Sequence, residues 1–209
     1  MAATLKEKQQ KRKELDAAIK KAIEAEIVAA NKKKAEEAAK KAKNANTSNS
    51  AKTGAKPSSS NELILTPEEK NLSTSFVNNK GKLPWPVAKG AKVADFGSYP
   101  HPDVPSVMIE NRGIDILVEP NTPVRAVFQG EVTGILDVMG TKVLMIRHGE
   151  YLSVYQNLAS VSVKKGDKVN TKQTIGTVGK STSNNTYELH FEVWKNNTYM
   201  NPNQWLSGR

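Results

Sequence analysis

The sequence predicts a mainly β protein, a sandwich or open barrel of short antiparallel strands preceded by one long N-terminal helix and one short helix. Three observations point there. Residues 5–44 are almost wholly Ala, Lys, Glu, Gln, Leu and Ile, with neither Gly nor Pro to interrupt a helix. Residues 45–61, "ANTSNSAKTGAKPSSSN", hold nothing to bury and read as a flexible linker. From Trp85 onward, short alternating runs such as "PVRAVFQGEVTGIL" and "YELHFEVWKNN" are cut by glycine, with turn signals roughly every ten residues and no surviving helical period.

Each segment has its own reason. In the first, residues 1–44, Leu15, Ile19, Ile23 and Ile27 recur every fourth position with Ala18, Ala22 and Ala30 beside them, giving one slightly drifting apolar stripe on a coiled-coil-like helix. The stripe is too narrow to be a core. It is suited to docking on a partner helix or on the globular domain, and a charged, solvated helix with no specific role is the competing expectation. Residues 62–84 form an entry segment whose short helix is signalled by Thr66 as N-cap, Pro67 at the first helical position and Glu69 three residues after the cap, with an end near Asn78 to Gly81. Residues 85–209 form the β domain. A chain of 209 residues has room for one such domain of roughly 100–150 residues and an appendage.

Charge and composition exclude several functions. Residues 1–60 carry 15 Lys/Arg against 7 Asp/Glu, so the +10 of the whole chain leaves 16 against 14 on the remainder. That near-neutral β domain lacks the clustered cations of a nucleic-acid surface. Without cysteine there is neither a disulfide framework nor a thiolate zinc site. No stretch approaches the roughly 18 apolar residues of a membrane span, and "MAATLKEKQQKRKELD" lacks the apolar core of a secretory signal, so an exported protein would be represented here by a fragment or processed form.

Three motifs carry chemistry. They are "NRGIDI" (111–116), "HGEYLSVYQNL" (148–158) and "YELHFEV" (187–193), the last two separated by "VKKGDKVNTKQTIGTVG". Together they resemble the lysostaphin-type zinc metallopeptidases, or LytM-like domains, which cut peptide cross-bridges in bacterial cell wall. Active members of that family read H-x-x-x-D, Y-x-H-L and H-x-H. The resemblance puts the zinc-ligand positions on Asn111, Asp115 and His190, and the two assisting histidines on Asn157 and Glu188. Only Asp115 and His190 keep a ligand type. An amide oxygen at Asn111 is a far weaker donor than imidazole. Asn157 carries no proton near neutral pH, and Glu188 sets an anion beside a developing oxyanion. Each lost acid or base costs about 10²- to 10⁴-fold in rate. The resemblance therefore implies a degenerate metallopeptidase, with no catalytic residues and no stoichiometric zinc. It gives His148, in "MIRHGEY", no ligand role, so that histidine reads as structural, and His101, in "YPHPDVPSV", reads as exposed.

The block "NNKGKLPWPV" (78–87), following a Lys/Glu/Ala-rich helix, is similar to the entry segment of EnvC-type activators of cell-wall amidases. That likeness implies a non-catalytic, periplasmic or cell-envelope protein that engages an amidase through its degraded groove during peptidoglycan splitting, while its helical region meets membrane proteins of the division machinery. The groove floor is expected to comprise Asn111, Asp115, Tyr155, Asn157, Glu188 and His190. Two other readings stand beside it. One is a module that binds or scaffolds peptidoglycan, its basic N-terminal region resting on anionic wall polymers or membrane. The other is an endopeptidase with an unusual Asn111/Asp115/Glu188/His190 metal site.

Overall fold

The computed structural model describes residues 2–44, 63–101, 104–138, 140–181 and 185–208, with side chains of the first helix described at Gln10 and over 13–36. The expected linker, 45–61, lies outside the described residues.

Helix α1 runs Ala2–Asn44. Helix α2 runs Pro67–Asn78 and starts as its sequence demands: Thr66 caps it, Pro67 opens it, and Thr66 and Glu69 exchange side-chain-to-backbone bonds in a complete capping box. The strands follow: β1 (Ala91–Ala94), β2 (Gly97–His101), β3 (Val104–Asn111), β4 (Ile114–Leu117), β5 (Pro123–Arg125), β6 (Gly130–Val138), β7 (Thr141–His148), β8 (Tyr151–Val161), β9 (Lys168–Val169), β10 (Thr174–Val178), β11 (Glu188–Lys195) and β12 (Thr198–Met200). Strands β2 and β3 pair as a separate ribbon. Among the described residues the others form one antiparallel sheet in the order β1-β4-β11-β8-β7-β6-β9, with β12 on β11 and β10 bridging β8 and β5.

Strand β8 serves two layers. Tyr151 to Gln156 pair with β11, and Leu158 to Val161 pair with β10. The change of partner falls at Asn157, whose φ is +65°. There β8 carries one residue more than β7, since Leu144 faces Tyr155 but Lys142 faces Leu158. The space between the layers is the main core, built from Ile114, Ile116, Val124, Leu144, Ile146, Tyr155, Ile175, Leu189, Phe191 and Val193. Helix α2 closes one side of it through Phe76, which stacks on His148 and Tyr151.

Strand alternation turns a second set of side chains to the opposite face: Val143 and Met145 on β7, Leu152 and Val154 on β8, and Trp194 on β11. Here the stripe of α1 docks on the globular domain, one of the two surfaces expected for it, and it does enter a core. Ile19, Ile23 and Ile27 are 0%, 0% and 2% exposed and form a second hydrophobic cluster with those residues and Leu63. The stripe is narrow because the sheet supplies the other wall.

Candidate functional site

The antiparallel register of β4 and β11 sets Asp115 directly opposite His190. What lets β4 approach so closely is Gly113: a Cβ there would stand 2.3 Å from the Phe191 carbonyl oxygen and 2.9 Å from His190 Nε2. The tight turn into β4 is held by Asn111, whose Oδ1 accepts from Gly113 N at 3.2 Å while its Nδ2 donates to Asp115 Oδ2 at 3.3 Å. The structure thus brings Asn111, Asp115 and His190 together.

They meet in a closed arrangement. His190 Nδ1 bonds Asp115 Oδ1, and His190 Nε2 lies 3.0 Å from Glu192 Oε1. Glu192 is 1% exposed and also accepts from Gln156 Nε2 at 2.8 Å and from Trp194 Nε1 at 2.6 Å. Both imidazole nitrogens therefore face carboxylate oxygens. Sequence reasoning passed over Gln156 and Glu192. The available signal was parity, because Glu192 is two residues from His190 on the same strand and must share its face. Among the described residues, no group of three or more His, Cys, Asp or Glu side chains is placed to hold a metal ion.

Asn157 and Glu188 are neighbours, and Glu188, two residues before His190 on β11, shares its face of the sheet. Asn157 Nδ2 donates to the Glu188 carbonyl at 2.6 Å and to the Gly179 carbonyl at 3.2 Å, tying β8 to the strand-entry segments around it. The Glu188 carboxylate accepts from Thr186 Oγ1 at 2.7 Å. Tyr155 does not belong to the groove floor. It is 0% exposed on the inner face, where its hydroxyl accepts from Val127 N at 2.9 Å and meets Ser153 Oγ at 3.2 Å, and burial raises its pKa to about 12. The extra residue at Asn157 is the reason: strict alternation would put residues 155 and 157 on one face, and the bulge breaks it.

His148 is fully buried in the main core, bonded to the Gln129 carbonyl at 2.7 Å and to Ser153 Oγ at 2.8 Å. Burial lowers its pKa to about 4, keeping the ring neutral. It is a structural residue. The side chain of His101 lies outside the described residues.

Helix α1 lies on the same face of the sheet as the Asp115–His190–Glu192 chain, since Trp194 shares the parity of His190 and Glu192 and packs on the isoleucines. Polar contacts hold it there. Asp16 meets Arg112 Nε at 3.5 Å beside Asn111, Glu26 pairs with Arg147, and Asn197 Nδ2 donates to Glu24 Oε1 at 3.2 Å.

Residues 109–202 match Peptidase family M23. That segment is an M23 domain. Its curated relatives include Cell division protein DipM of Caulobacter vibrioides, 28% identical over 140 residues that make up 66% of this chain and 22% of that protein. A Protein NlpD/LppB homolog of Buchnera aphidicola is 31% identical over 127 residues, 59% of this chain and 35% of that protein. The chain thus aligns with between 22% and 35% of the length of these relatives. Among solved structures, the SpoIIQ–SpoIIIAH pore-forming complex contains a chain that matches with a TM-score of 0.50 and 25% identity, over 61% of this chain and 92% of that one. The M23 domain is therefore similar to a cell division protein and to a chain of the SpoIIQ–SpoIIIAH complex.

Proposed function

We propose that this chain is a non-catalytic activator of a cell-wall N-acetylmuramoyl-L-alanine amidase, acting in peptidoglycan splitting during cell division at the cell envelope through a degraded M23 groove. The observation that carries the reading is the use of every retained metal-site group inside the protein. Asp115 and His190 bond each other, the second nitrogen of His190 faces Glu192, and the Asn111 oxygen accepts from Gly113. A zinc ion does not fit that set: the one imidazole available has no nitrogen facing open space, and the third position offers an amide oxygen already turned to the backbone. The assisting positions supply nothing in its place, because the Asn157 amide is spent on two carbonyls and Glu188 is an acid partnered by Thr186.

The kinship with a cell division protein supports the setting, and the match to one chain of the two-protein SpoIIQ–SpoIIIAH complex supports the use of such a domain to hold another protein. The seat of α1 supports control: the helix lies on the groove face, so an amidase must displace it or bind beside it. Residues 1–44 then act as a brake that other division proteins release. The deciding experiment is release of dye-labelled murein by a candidate amidase with and without the full chain. Stimulation by a chain that releases nothing alone is expected. Release by the chain alone would sink the reading in favour of an endopeptidase, and murein binding without stimulation would replace it with a wall-binding scaffold.

A further inference from the structure

The way α1 is seated specifies what else fits that face. The bed beneath it is apolar, formed by Val143, Met145, Leu152, Val154 and Trp194, yet two guanidinium groups border it, Arg112 and Arg147. Arg147 is 6% exposed, with burial drawing its pKa down to about 10. Each arginine is met by an acid of the helix, Asp16 for Arg112 and Glu26 for Arg147. Ten residues of helix separate the two acids, about 15 Å at 1.5 Å per residue. Between and beside them run Ile19, Ile23 and Ile27, all buried.

We propose that this face recognises a partner helix bearing an aliphatic residue every fourth position and two acidic residues ten positions apart, with Arg112 and Arg147 as its specificity-determining residues. The inference rests on the activator reading above, in which a helix of the amidase replaces α1. Selection works chiefly by penalty. A displacing helix with no acid opposite Arg147 leaves a guanidinium buried and unpaired, which costs far more than the intact pair is worth. An aliphatic helix of the wrong charge is thereby rejected although it covers the bed equally well.

The test uses the full chain carrying Asp16→Lys and Glu26→Lys, which loosens the resident helix, and a fluorescein-labelled peptide of residues 10–36. Anisotropy is expected to show saturable binding of the wild-type peptide, at least about tenfold tighter than binding of the same peptide with both acids reversed to lysine. Since Arg147→Glu threatens folding, the reciprocal swap is made at the more exposed Arg112. Arg112→Glu, made in a chain loosened by Ile23→Asp with Asp16 kept so that the resident helix gains no pair with it, should weaken the wild-type peptide and strengthen the Asp16→Lys peptide relative to the Ile23→Asp parent, with circular dichroism confirming the fold. Equal affinity of both peptides, absence of saturable binding, or indifference to the Arg112 swap would overturn the proposal. Amidase stimulation by the loosened chain is measured in parallel. Its absence with the charge rule intact sinks the activator reading alone, and its presence without charge discrimination sinks this inference alone.

Discussion

Replacing Ile23 with Asp is expected to free α1 from the sheet and leave the M23 domain folded. Ile19, Ile23 and Ile27 are 0%, 0% and 2% exposed. At about 1.5–3 kcal/mol for each fully buried side chain, the stripe supplies roughly 5–9 kcal/mol of docking as an upper bound. Removing one residue leaves about 3–6 kcal/mol, and an ionised carboxylate among Val143, Met145 and Val154 costs several kcal/mol more. The docked state then loses to the undocked one. The freed helix, rich in Ala, Lys and Glu, keeps part of its own helicity. The main core between the sheet layers shares no residue with the α1 cluster, so it should survive. Trp194 reports the event, being 1% exposed beneath α1, whereas the 2% exposed Trp205 lies in the main core. Acrylamide quenching should reveal one newly accessible tryptophan while the main melting transition persists, and the control Ile23→Val, worth about 0.5–1.5 kcal/mol, should stay docked. A folded Ile23→Asp chain with Trp194 still shielded would refute the account of docking. Loss of both clusters in a single transition would refute their independence.

His148 predicts an acid limb: its folded pKa lies near 4 against 6.5 unfolded, so stability is intact above about pH 6.5 and falls as pH drops toward 4. The loss is about 2 kcal/mol at pH 5, and urea melts at pH 7 and 5 of His148→Asn and the parent should show a smaller pH difference in the variant. Tyr155→Phe deprives the buried Val127 N–H of its acceptor and should cost about 1–3 kcal/mol, a Tm fall of several degrees by calorimetry; an unchanged Tm would refute a stabilising role for the Tyr155 hydroxyl. The purified chain should carry no stoichiometric zinc, and Asn111→His should release no murein. Elemental analysis near one zinc per chain, or lysis by that single variant, would reverse the reading of the site.

How far the sequence could be read depended on the range of the forces involved. The start of α2 was legible because Thr66, Pro67 and Glu69 act within one turn. The β domain was legible because alternation is local and repeated. Which surface α1 would cover was not, since a three-isoleucine stripe becomes a core only against a wall folded from residues 143–154 and 194. A hint lay in β7, "TKVLMIRH", where consecutive apolar residues announce a strand buried on both faces. At the site, motif order singled out Asp115 and His190, which strand register sets side by side. The motif could not show that Glu192 closes the other side of the imidazole, nor that a bulge separates Tyr155 from Asn157, because both facts belong to strand register.

The left-handed backbone at Asn157 limits what evolution can put there. A φ of +65° is comfortable for glycine and tolerable for few other residues, among which asparagine, aspartate and histidine are enriched. The resemblance places a catalytic histidine at this position in active enzymes. Histidine and asparagine thus belong to the same short list, and exchanging one for the other alters the chemistry while leaving the pivot between the two layers unstrained. Loss of catalysis by that route asks nothing of the fold, and a lineage could cross it in either direction. A β-branched residue at 157 would instead strain the turn of β8 from one layer into the next, and the cost would fall on the architecture itself rather than on its activity.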